Sequence, residues 1–410
     1  MSDIEINAER VLANLYRLRG IGTYKTGVHR PTLSPDDMTA RHWLVEQLTA
    51  IGHAAEIDGI ANVIGRSPAP GRKLLAGSHL ESQNHAGWLD GALGVVYALE
   101  AATQLADRSG SNGAGVDVVA FADEEHHFGP FMGSYSLVGE LSEEAIDSAV
   151  DRVRDLRLRD ALSAAGLAGR PRHRLAADRY IGFLEAHIEQ GDWLESTDLT
   201  IGVVTSIVSI CQYRITVSGT QNHAGTTRMA SRRDAGAAAV QLCHRIQQDF
   251  AAHAGERTVW TVGNISLSPG AHSIIPGAAE VLFQFRDADP GKLDELDALL
   301  RRLVDEADAA GPCAVTLTAL ARSTPALMDA GIQAAIERAA EDHAPGKHVR
   351  MPSGAGHDAQ IIAPHLPAGM LFVPSIGGIS HHYSENTSDE DIVTGARVYV
   401  SAAAEVLGVS

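Results

Sequence analysis

Four segments of the sequence run from an apolar stretch directly into side chains that commonly bind metal ions. These side chains are His79 and Asp90 in GSHLESQNHAGWLDG, Glu124 and Glu125 in VVAFADEEHHFG, His187 in FLEAHIEQG, and His381 in GGISHHYSENT. Two imidazoles and a carboxylate suit Zn²⁺ or Mn²⁺, and a carboxylate with two oxygens can bridge two ions. Together the four segments indicate a metal site.

Each of these residues also has an ordinary structural explanation. A lone histidine such as His187 is more often a satisfied or half-exposed side chain. Asp90, just before a helical stretch at Ala92, fits a helix N-cap, and the pair Glu124 and Glu125 fits a solvated turn. Because the same pattern recurs at four strand ends, the metal interpretation is favoured over four separate coincidences.

The first half of the chain alternates segments with the patterns of strands and helices. Strands are predicted at residues 73–79, 116–122 and 180–187, and helices at 40–51 and 92–106. This alternation predicts an α/β domain whose mostly parallel sheet has helices on both faces. Ligands of such sheets bind outside the carboxyl ends of the strands, so the four segments are expected to meet in one crevice.

After residue 201 the pattern changes to that of a smaller α+β domain. Its order is βαββαβ, with strands predicted at 212–217, 259–267, 280–286 and 314–319 and helices at 233–250 and 292–309. This order is that of a split βαβ unit. The α/β pattern then resumes, with a strand at 370–373. We therefore predict an α/β domain, residues 1–208 and 324–410, interrupted by an α+β domain, residues 209–323.

The bulk properties narrow the class of protein. A net charge of -18 over 410 residues disfavours a nucleic-acid partner. The three cysteines, Cys211, Cys243 and Cys313, are too far apart for a disulfide framework and fit a reducing compartment. The first residues lack an apolar signal core, and no apolar run is long enough to span a membrane. A cytoplasmic location is expected.

With these residues in view, the sequence resembles the M20 metallopeptidase clan. Within it, the sequence is similar to the amidase group of N-carbamoyl-L-amino-acid hydrolases, β-ureidopropionases and allantoate amidohydrolases. The matching stretches are GSHLESQNHAGWLDGALGV, DEEHHFG, LEAHIEQG, NHAGTTRMASRRDA, HSIIPG, MPSGAGHDAQ and FVPSIGGISHHYSENT. They occur in the family's order along nearly the whole chain.

The resemblance implies a site for two divalent ions, Zn²⁺ or Mn²⁺, with Co²⁺ or Ni²⁺ as further candidates. In that scheme His79 and His187 hold one ion. Glu125 and His381 hold the other ion, and Asp90 bridges the two.

The resemblance also implies that Glu124 is the general base, because a carboxylate beside a metal-activated water can take its proton. Glu81, two residues after His79, is expected to accept a hydrogen bond from the imidazole and fix its tautomer. The family usually has Asp at the position of Glu81.

In the family, the inserted domain is a lid and dimerisation domain. His223 in NHAGTTR matches the histidine that donates to the substrate carbonyl, often from the neighbouring subunit, so a homodimer is expected. Arg286 matches the arginine that binds the substrate carboxylate, for which a guanidinium fork is suited. Ser273 stands where the family has an Asn that assists this arginine.

Gln190 and the glycine-rich segment of Gly354, Ala355 and Gly356 would line the same pocket, the segment through its backbone N–H groups. The simpler alternatives are that Arg286 is a surface residue and that the glycines form a plain turn.

Besides Ser273, two more departures from the family lie near the expected substrate. The segment EEHHFGPFMGS is about two residues shorter than usual and has His127 in place of an arginine. Asn84, His85 and Trp88 replace small and basic residues before Asp90. Trp88 either stacks on the substrate or packs into the domain. Since no metal ligand is lost, the chemistry is expected to be preserved and the specificity altered. Stacking on Trp88 would favour a bulky or aromatic substrate.

The expected function is that of a metal-dependent amidohydrolase cleaving the amide or ureido C–N bond of a small anionic N-carbamoyl amino acid. The first alternative is an N-acyl-amino-acid deacylase, or another small-amide hydrolase, using the same site. The second, of another class, is a non-catalytic binding or scaffold protein. A complete set of ligands and base argues against that second alternative.

Overall fold

The structure, a computed structural model, describes residues 5–106, 113–151 and 153–409. The chain divides into a larger unit, Met1–Ser206 with Ala326–Ser410, and a smaller unit, Ile207–Pro325. The assignment of a metal-binding role to the first and a lid role to the second stays a prediction.

The helices are α1 (Ala8–Arg19), α2 (Pro35–Ala50), α3 (Ala92–Leu105), α4 (Met132–Val138), α5 (Glu143–Ser148), α6 (Leu158–Ala164), α7 (Trp193–Ser196), α8 (Ala235–His253), α9 (Pro290–Ala310), α10 (Ala330–His343), α11 (Asp358–Ile362) and α12 (Asp389–Leu407). Side-chain caps fix several of their first turns. Ser34, for example, accepts from the backbone N–H of Asp37, so α2 begins five residues before the predicted start at residue 40. Within the described ranges, no helix is both long and apolar enough to cross a membrane.

The strands of the larger unit that precede the smaller one are β1 (Thr23–Tyr24), β2 (Gly27–Val28), β3 (Ala54–Ile57), β4 (Val63–Arg66), β5 (Lys73–His79), β6 (Gly115–Phe121), β7 (Val150–Asp151), β8 (Leu156–Arg157), β9 (Tyr180–Ile188) and β10 (Ile201–Ile207). The strands that follow are β11 (Ser209–Ser218), β12 (Asn222–His223), β13 (Val259–Ser268), β14 (Ile274–Ile275), β15 (Ala278–Asp287), β16 (Ala314–Arg322), β17 (Ala326–Leu327), β18 (His348–Ser353) and β19 (Ala368–Val373).

The larger unit is built on one sheet of order β17-β10-β19-β9-β5-β6-β4-β3, with β18 beside β10. Its four central strands, β19, β9, β5 and β6, run parallel, and antiparallel strands flank them on each side. Every residue of β5, β6 and β19 is buried, as expected for strands covered on both faces. The predicted fold class is confirmed.

Helix α3 covers β5, β6 and β9 and packs against α1 and α12. It is buried almost all round, which explains why its sequence is apolar on every side. Helices α4 and α11 pack against each other, α4 also on β6 and α11 also on β9 and β19. Helices therefore pack on all four central strands.

The smaller unit has the predicted order βαββαβ. Its main sheet, of order β13-β15-β11-β16, is antiparallel, and its core contains apolar residues of α8 and α9. Burial alternates along β11 and β15, so one face of each strand packs on the core and the other does not. A separate two-stranded ribbon pairs β12 with β14.

Candidate metal centre

One group of possible metal ligands consists of His79, Asp90 and His187, all buried. His79 is the last residue of β5, and His187 is the last but one of β9. Asp90 Oδ1 lies 2.9 Å from His187 Nε2 and 3.5 Å from His79 Nε2. The carboxylate does not cap a helix, since α3 begins after Gly91 with no side-chain cap, so the N-cap explanation of Asp90 does not hold.

A second group consists of Asp90 again with Glu125 and His381. His381 Nε2 lies 3.3 Å from Asp90 Oδ2 and 3.6 Å from Glu125 Oε2. The two carboxylate oxygens of Asp90 thus face different groups. The side chain of His381 is 52% exposed whereas that of Glu125 is 3% exposed, so the second group is the side open to solvent.

The hydrogen bonds of the two buried histidines test whether this donor set suits a metal ion. The Nδ1 atom of His79 lies 3.1 Å from the carbonyl oxygen of Glu81, and that of His187 lies 2.9 Å from the carbonyl oxygen of Ile188. A carbonyl can only accept, so each Nδ1 carries the proton and each Nε2 turns a lone pair towards the group. His79 Nε2 is buried with no hydrogen-bond partner among the described residues. These features fit divalent ions bound by imidazole and carboxylate.

Two contacts determine where Asp90 and its loop can lie. A Cβ at Gly91, whose φ is +68°, would come within 2.4 Å of the His79 ring. The buried carboxylate of Glu385 accepts hydrogen bonds from the backbone N–H groups of Leu89 and Asp90 at 3.4 and 3.2 Å and from Ser380. Burial raises the pKa of Glu385 to about 8. Glu385 thereby holds the loop that presents Asp90.

Glu81 does not act as predicted. Its backbone carbonyl, and not its carboxylate, accepts from His79; the nearest carboxylate oxygen is 4.0 Å from Nδ1. The carboxylate instead accepts from the backbone N–H of Glu124 at 2.7 Å and from Arg41 Nη2 at 2.6 Å. The extra methylene of Glu, relative to the family's Asp, is consistent with this longer reach. Glu81 therefore positions the backbone of Glu124.

Arg41 on α2 is fully buried and links this part of the site to the sheet. Its Nε donates to Asp37 at 3.0 Å, and its Nη1 donates to the carbonyl of Phe121 at the end of β6. Removing any one of these three groups would leave a buried charge without its full complement of partners, which is strongly destabilising. The pKa of Glu81 is held below its ordinary value: burial alone would raise it, and Arg41 and His79 lower it.

Asp123 shapes the loop that carries Glu124 and Glu125. Its φ of +61° lies in the left-handed region, which Asp tolerates better than most residues. Its carboxylate accepts from the backbone N–H groups of His127, Phe128 and Gly129 at 2.9 to 3.0 Å. Burial raises the pKa of Asp123 to about 7. These hydrogen bonds fold the loop around the carboxylate of Asp123, its first residue.

The carboxylates of the centre are crowded and buried. Burial raises the pKa of Glu124 well above its usual range, and Glu125 adds to the effect. Burial and the nearby Asp90 raise the pKa of Glu125 to about 7. For Asp90, burial opposes ionisation, but the neighbouring His187, His381 and His79 hold its pKa well below the usual range. A divalent cation would offset the repulsion among these carboxylates.

Two predicted pocket elements of the larger unit, Gln190 and the glycine-rich segment, lie beside the candidate metal ligands. Gln190 Nε2 donates to Asp90 Oδ2 at 3.3 Å, while its Oε1 is buried without a hydrogen-bond partner among the described residues. The segment of Gly354, Ala355 and Gly356 follows β18 and leads into His357, whose ring lies 4.6 Å from that of His187.

The remaining predicted residues lie in the smaller unit. His223 on β12 is exposed, and its Nδ1 accepts from the backbone N–H groups of Gly225 and Thr226 at 3.0 and 3.2 Å. With Nδ1 accepting, Nε2 carries the proton and can donate. Arg286 is half-buried near the end of β15, and burial lowers its pKa. Ser273 is exposed, just before β14.

The departures from the family pattern have different structural outcomes. Trp88 is 2% exposed, and its ring stacks on Tyr16 with centroids 5.3 Å apart. Trp88 therefore packs into the core, as the second alternative predicted, and is not available to stack on a substrate. The side chain of His127 is also buried, with Nδ1 3.0 Å from Thr32 Oγ1.

Sequence reasoning missed Arg41, Asp123, Glu385 and His357. Arg41 lies three and seven residues before Leu44 and Leu48, on the buried face of α2. A charged residue on an apolar helix face is a signal that a buried counter-charge exists. The other three lie in loops near predicted site residues, where sequence spacing does not reveal which side chains face inward.

Comparison with known proteins gives a consistent result. The family model of peptidase family M20/M25/M40 matches residues 75–405. An N-carbamoyl-L-amino-acid amidohydrolase from Paenarthrobacter aurescens is 32% identical over 400 residues, 95% of this chain and 96% of that protein. An allantoate amidohydrolase from Escherichia coli (strain K12) is 32% identical over 381 residues, 90% and 91% of the two chains.

A solved structure is similar over the whole length. It is that of an amidase of the hydantoinase/carbamoylase family from Burkholderia phymatum, 45% identical, with a TM-score of 0.93. The alignment covers 100% of this chain and 99% of that one.

Proposed function

Because this chain belongs to peptidase family M20/M25/M40, we propose that it is a metal-dependent amidohydrolase of small N-carbamoyl amino acids. The resemblance predicted from the motifs is confirmed by the family match and by the amidohydrolase relatives. The observation that carries the proposal is the position of Asp90, whose two oxygens face two separate groups of histidine and carboxylate ligands.

We assign one divalent ion to His79, His187 and Asp90. A second ion belongs to Glu125, His381 and the same Asp90, with Zn²⁺ or Mn²⁺ as first candidates and Co²⁺ or Ni²⁺ as others. Two such ions, when bound, would supply Lewis acidity to the scissile carbonyl and would lower the pKa of an attacking water.

The residues of the chain divide the remaining work. Glu124 Oε2 lies 3.7 Å from His79 Nε2, beside but outside both ligand groups, so it is free to take a proton from water and pass it to the leaving nitrogen. His223, with Nε2 as donor, stabilises the developing negative charge on the carbonyl oxygen. Gln190 orients the substrate with the Oε1 that has no hydrogen-bond partner among the described residues.

A substrate panel tests this function. N-carbamoyl-L-amino acids, allantoate, N-acetyl-L-amino acids and dipeptides are assayed with Mn²⁺, Co²⁺, Ni²⁺ and Zn²⁺. We expect ammonia from the N-carbamoyl substrates, since hydrolysis of a ureido group yields the amino acid, CO₂ and ammonia. Hydrolysis of the N-acetyl compounds alone would support the deacylase alternative. A folded protein that binds none of these ions would support the non-catalytic alternative.

Arg286 is proposed to bind the substrate carboxylate. We expect Arg286→Ala to raise KM for an N-carbamoyl amino acid by on the order of 10-fold or more, because a charge-assisted bond is lost. The corresponding uncharged amide should be hydrolysed almost as before. Arg301→Ala on α9, an exposed arginine paired with Asp297, is the matched control. Equal losses for both substrates would make Arg286 a structural residue.

We further propose a cytoplasmic homodimer in which His223 acts on the neighbouring subunit. The buried, free cysteines fit a reducing compartment, and the net charge of -18 disfavours nucleic acid. Mixing inactive Glu124→Gln protein with inactive His223→Ala protein should restore part of the activity, because mixed dimers contain one intact site. If mixed dimers form without any activity, His223 does not act across the interface.

A further inference from the structure

A cleft of about 1040 Å³ opens beside Glu125 in the larger unit. Its described lining comes from residues 83–84, from the stretch 125–135 that includes the start of α4, and from the stretch 140–151 with residue 153, which includes α5 and β7. The volume is at the upper end of the range of small-molecule sites in proteins. Neither the family match nor the names of the relatives assign a role to this cleft.

The cleft is continuous with the second ligand group. Glu125, one member of that group, also lines the cleft. Gln83, at the same end, donates its backbone N–H to Glu125 Oε1 at 3.0 Å and its side-chain amide to the carbonyl of Glu125 at 2.7 Å. A molecule whose scissile group sits at the ligands therefore has a path into the cleft.

Away from Glu125 the walls are mainly apolar. Phe128, Met132 and Leu141 line one part and are anchored in the core. Ala145 and Ala149, at α5 and its C-cap, also line the cleft and contribute only methyl groups, which leaves space that larger residues would fill. An apolar group placed here would leave water without losing hydrogen bonds.

The charged groups at the far end already have partners. Asp151 is paired with Arg154, and Glu140 lies 3.1 Å from His365. None of the described residues that line the cleft is Lys or Arg. An anionic substituent would therefore find no Lys or Arg on this lining to pair with, and the nearby Arg154 is already paired with Asp151.

The far wall is also held in place. Arg154, in the turn between β7 and β8, donates to the carbonyl of Thr32 at 2.8 Å and lies over the ring of Phe128, 5.2 Å from its centroid. These contacts hold Arg154 against Phe128 on the apolar wall of the cleft.

We infer that this cleft binds the side chain of the substrate amino acid and selects a large, uncharged, apolar group, aromatic or branched alkyl. The inference rests on the proposed function, since it takes the carbamoyl group as the one at the metal ligands. A carbamoyl group ends in NH₂ and needs no space beyond the metal ligands. The substrate carboxylate is assigned to Arg286, so the amino-acid side chain is the part left to occupy the cleft.

The test compares N-carbamoyl-L-phenylalanine with N-carbamoylglycine and N-carbamoyl-L-glutamate in Ser148→Trp. Ser148 is exposed at the end of α5 and lines the cleft, so the indole fills the cleft without entering the core. The wild-type kcat/KM should be about 10-fold or more higher for phenylalanine than for glycine or glutamate. Ser148→Trp should remove this preference and leave the glycine substrate within about twofold.

The matched control is Ser163→Trp, the same change at an exposed serine of the neighbouring α6, outside the cleft lining. It should leave all three substrates unchanged. Ala145→Phe fills the cleft from one turn earlier on α5 and should reproduce the effect of Ser148→Trp. This second variant keeps the test decisive if the indole of Ser148→Trp points into solvent.

Other results overturn the inference. These are equal losses on all substrates in Ser148→Trp, no effect of either filling variant, or a wild-type preference for glycine, glutamate or a larger acyl group. If wild type hydrolyses none of the three, the proposed function fails, and binding of the same three compounds to the metal-loaded protein is measured by calorimetry. Tighter binding of the phenylalanine compound, lost in Ser148→Trp, would still support the cleft. Absence of that difference would overturn it.

Discussion

Glu124→Gln is expected to keep its metal ions and to lower kcat by on the order of 10²–10⁴, the usual cost of losing a general base. Gln has nearly the same shape as Glu, so the buried side chain can keep its place next to His79. It cannot accept a proton from water, however. The backbone N–H of Glu124 still donates to Glu81, so the loop should keep its conformation. Metal analysis together with kcat and KM on an N-carbamoyl amino acid checks both parts.

Glu125→Gln is the matched control, because the same chemical change falls on the next residue. Glu125 Oε2 lies 3.6 Å from His381 Nε2, inside a ligand group. We expect this variant to bind metal more weakly and to regain activity at high metal concentration, whereas added metal should not rescue Glu124→Gln. The opposite pattern would mean that the two neighbouring residues have exchanged roles.

The edge of the sheet at which the centre forms could be predicted from sequence. The segments leading into His79 and His187 are mostly apolar, and such strands pair in parallel inside α/β proteins. Parallel strands end at the same edge, so their terminal residues must meet. The strands of the smaller unit could be predicted equally well, because β11 and β15 alternate buried and less buried residues with period 2.

The supporting contacts could not be predicted, because they join residues far apart in sequence through loops. Arg41 reaches Glu81 across forty positions, and Glu385 reaches Asp90 across almost three hundred. For Glu81, the two-residue spacing from His79 was a poor guide to which group its carboxylate contacts. β5 ends at His79, so the alternation of side chains no longer applies two residues later, and the carboxylate turns to Arg41. The burial of Trp88 could not be predicted either, since nothing in its loop sequence reveals that Tyr16 of α1 covers it.

Asp90→Ala is expected to lose both metal ions together, with complete loss of metal-dependent activity. Each proposed ion has three protein ligands, the number typical of catalytic zinc sites, and Asp90 belongs to both sets. Without it, His79 and His187 remain on one side and Glu125 and His381 on the other. Two ligands on each side are too few to retain an ion through dialysis. Elemental analysis after dialysis measures the effect, and Asp90→Asn repeats the test with the size of the side chain preserved.

His381→Ala is the control that separates a bridging ligand from an ordinary one. It removes a ligand from the solvent-exposed group only, so the buried group of His79, His187 and Asp90 keeps its three ligands and should retain one ion. Calorimetric melting with and without chelator shows whether each variant is folded before its metal content is interpreted. If folded Asp90→Ala still carried two ions, the bridging assignment would be wrong. If folded His381→Ala lost both ions, binding of the buried ion would depend on the other ion, and not only on the shared ligand Asp90.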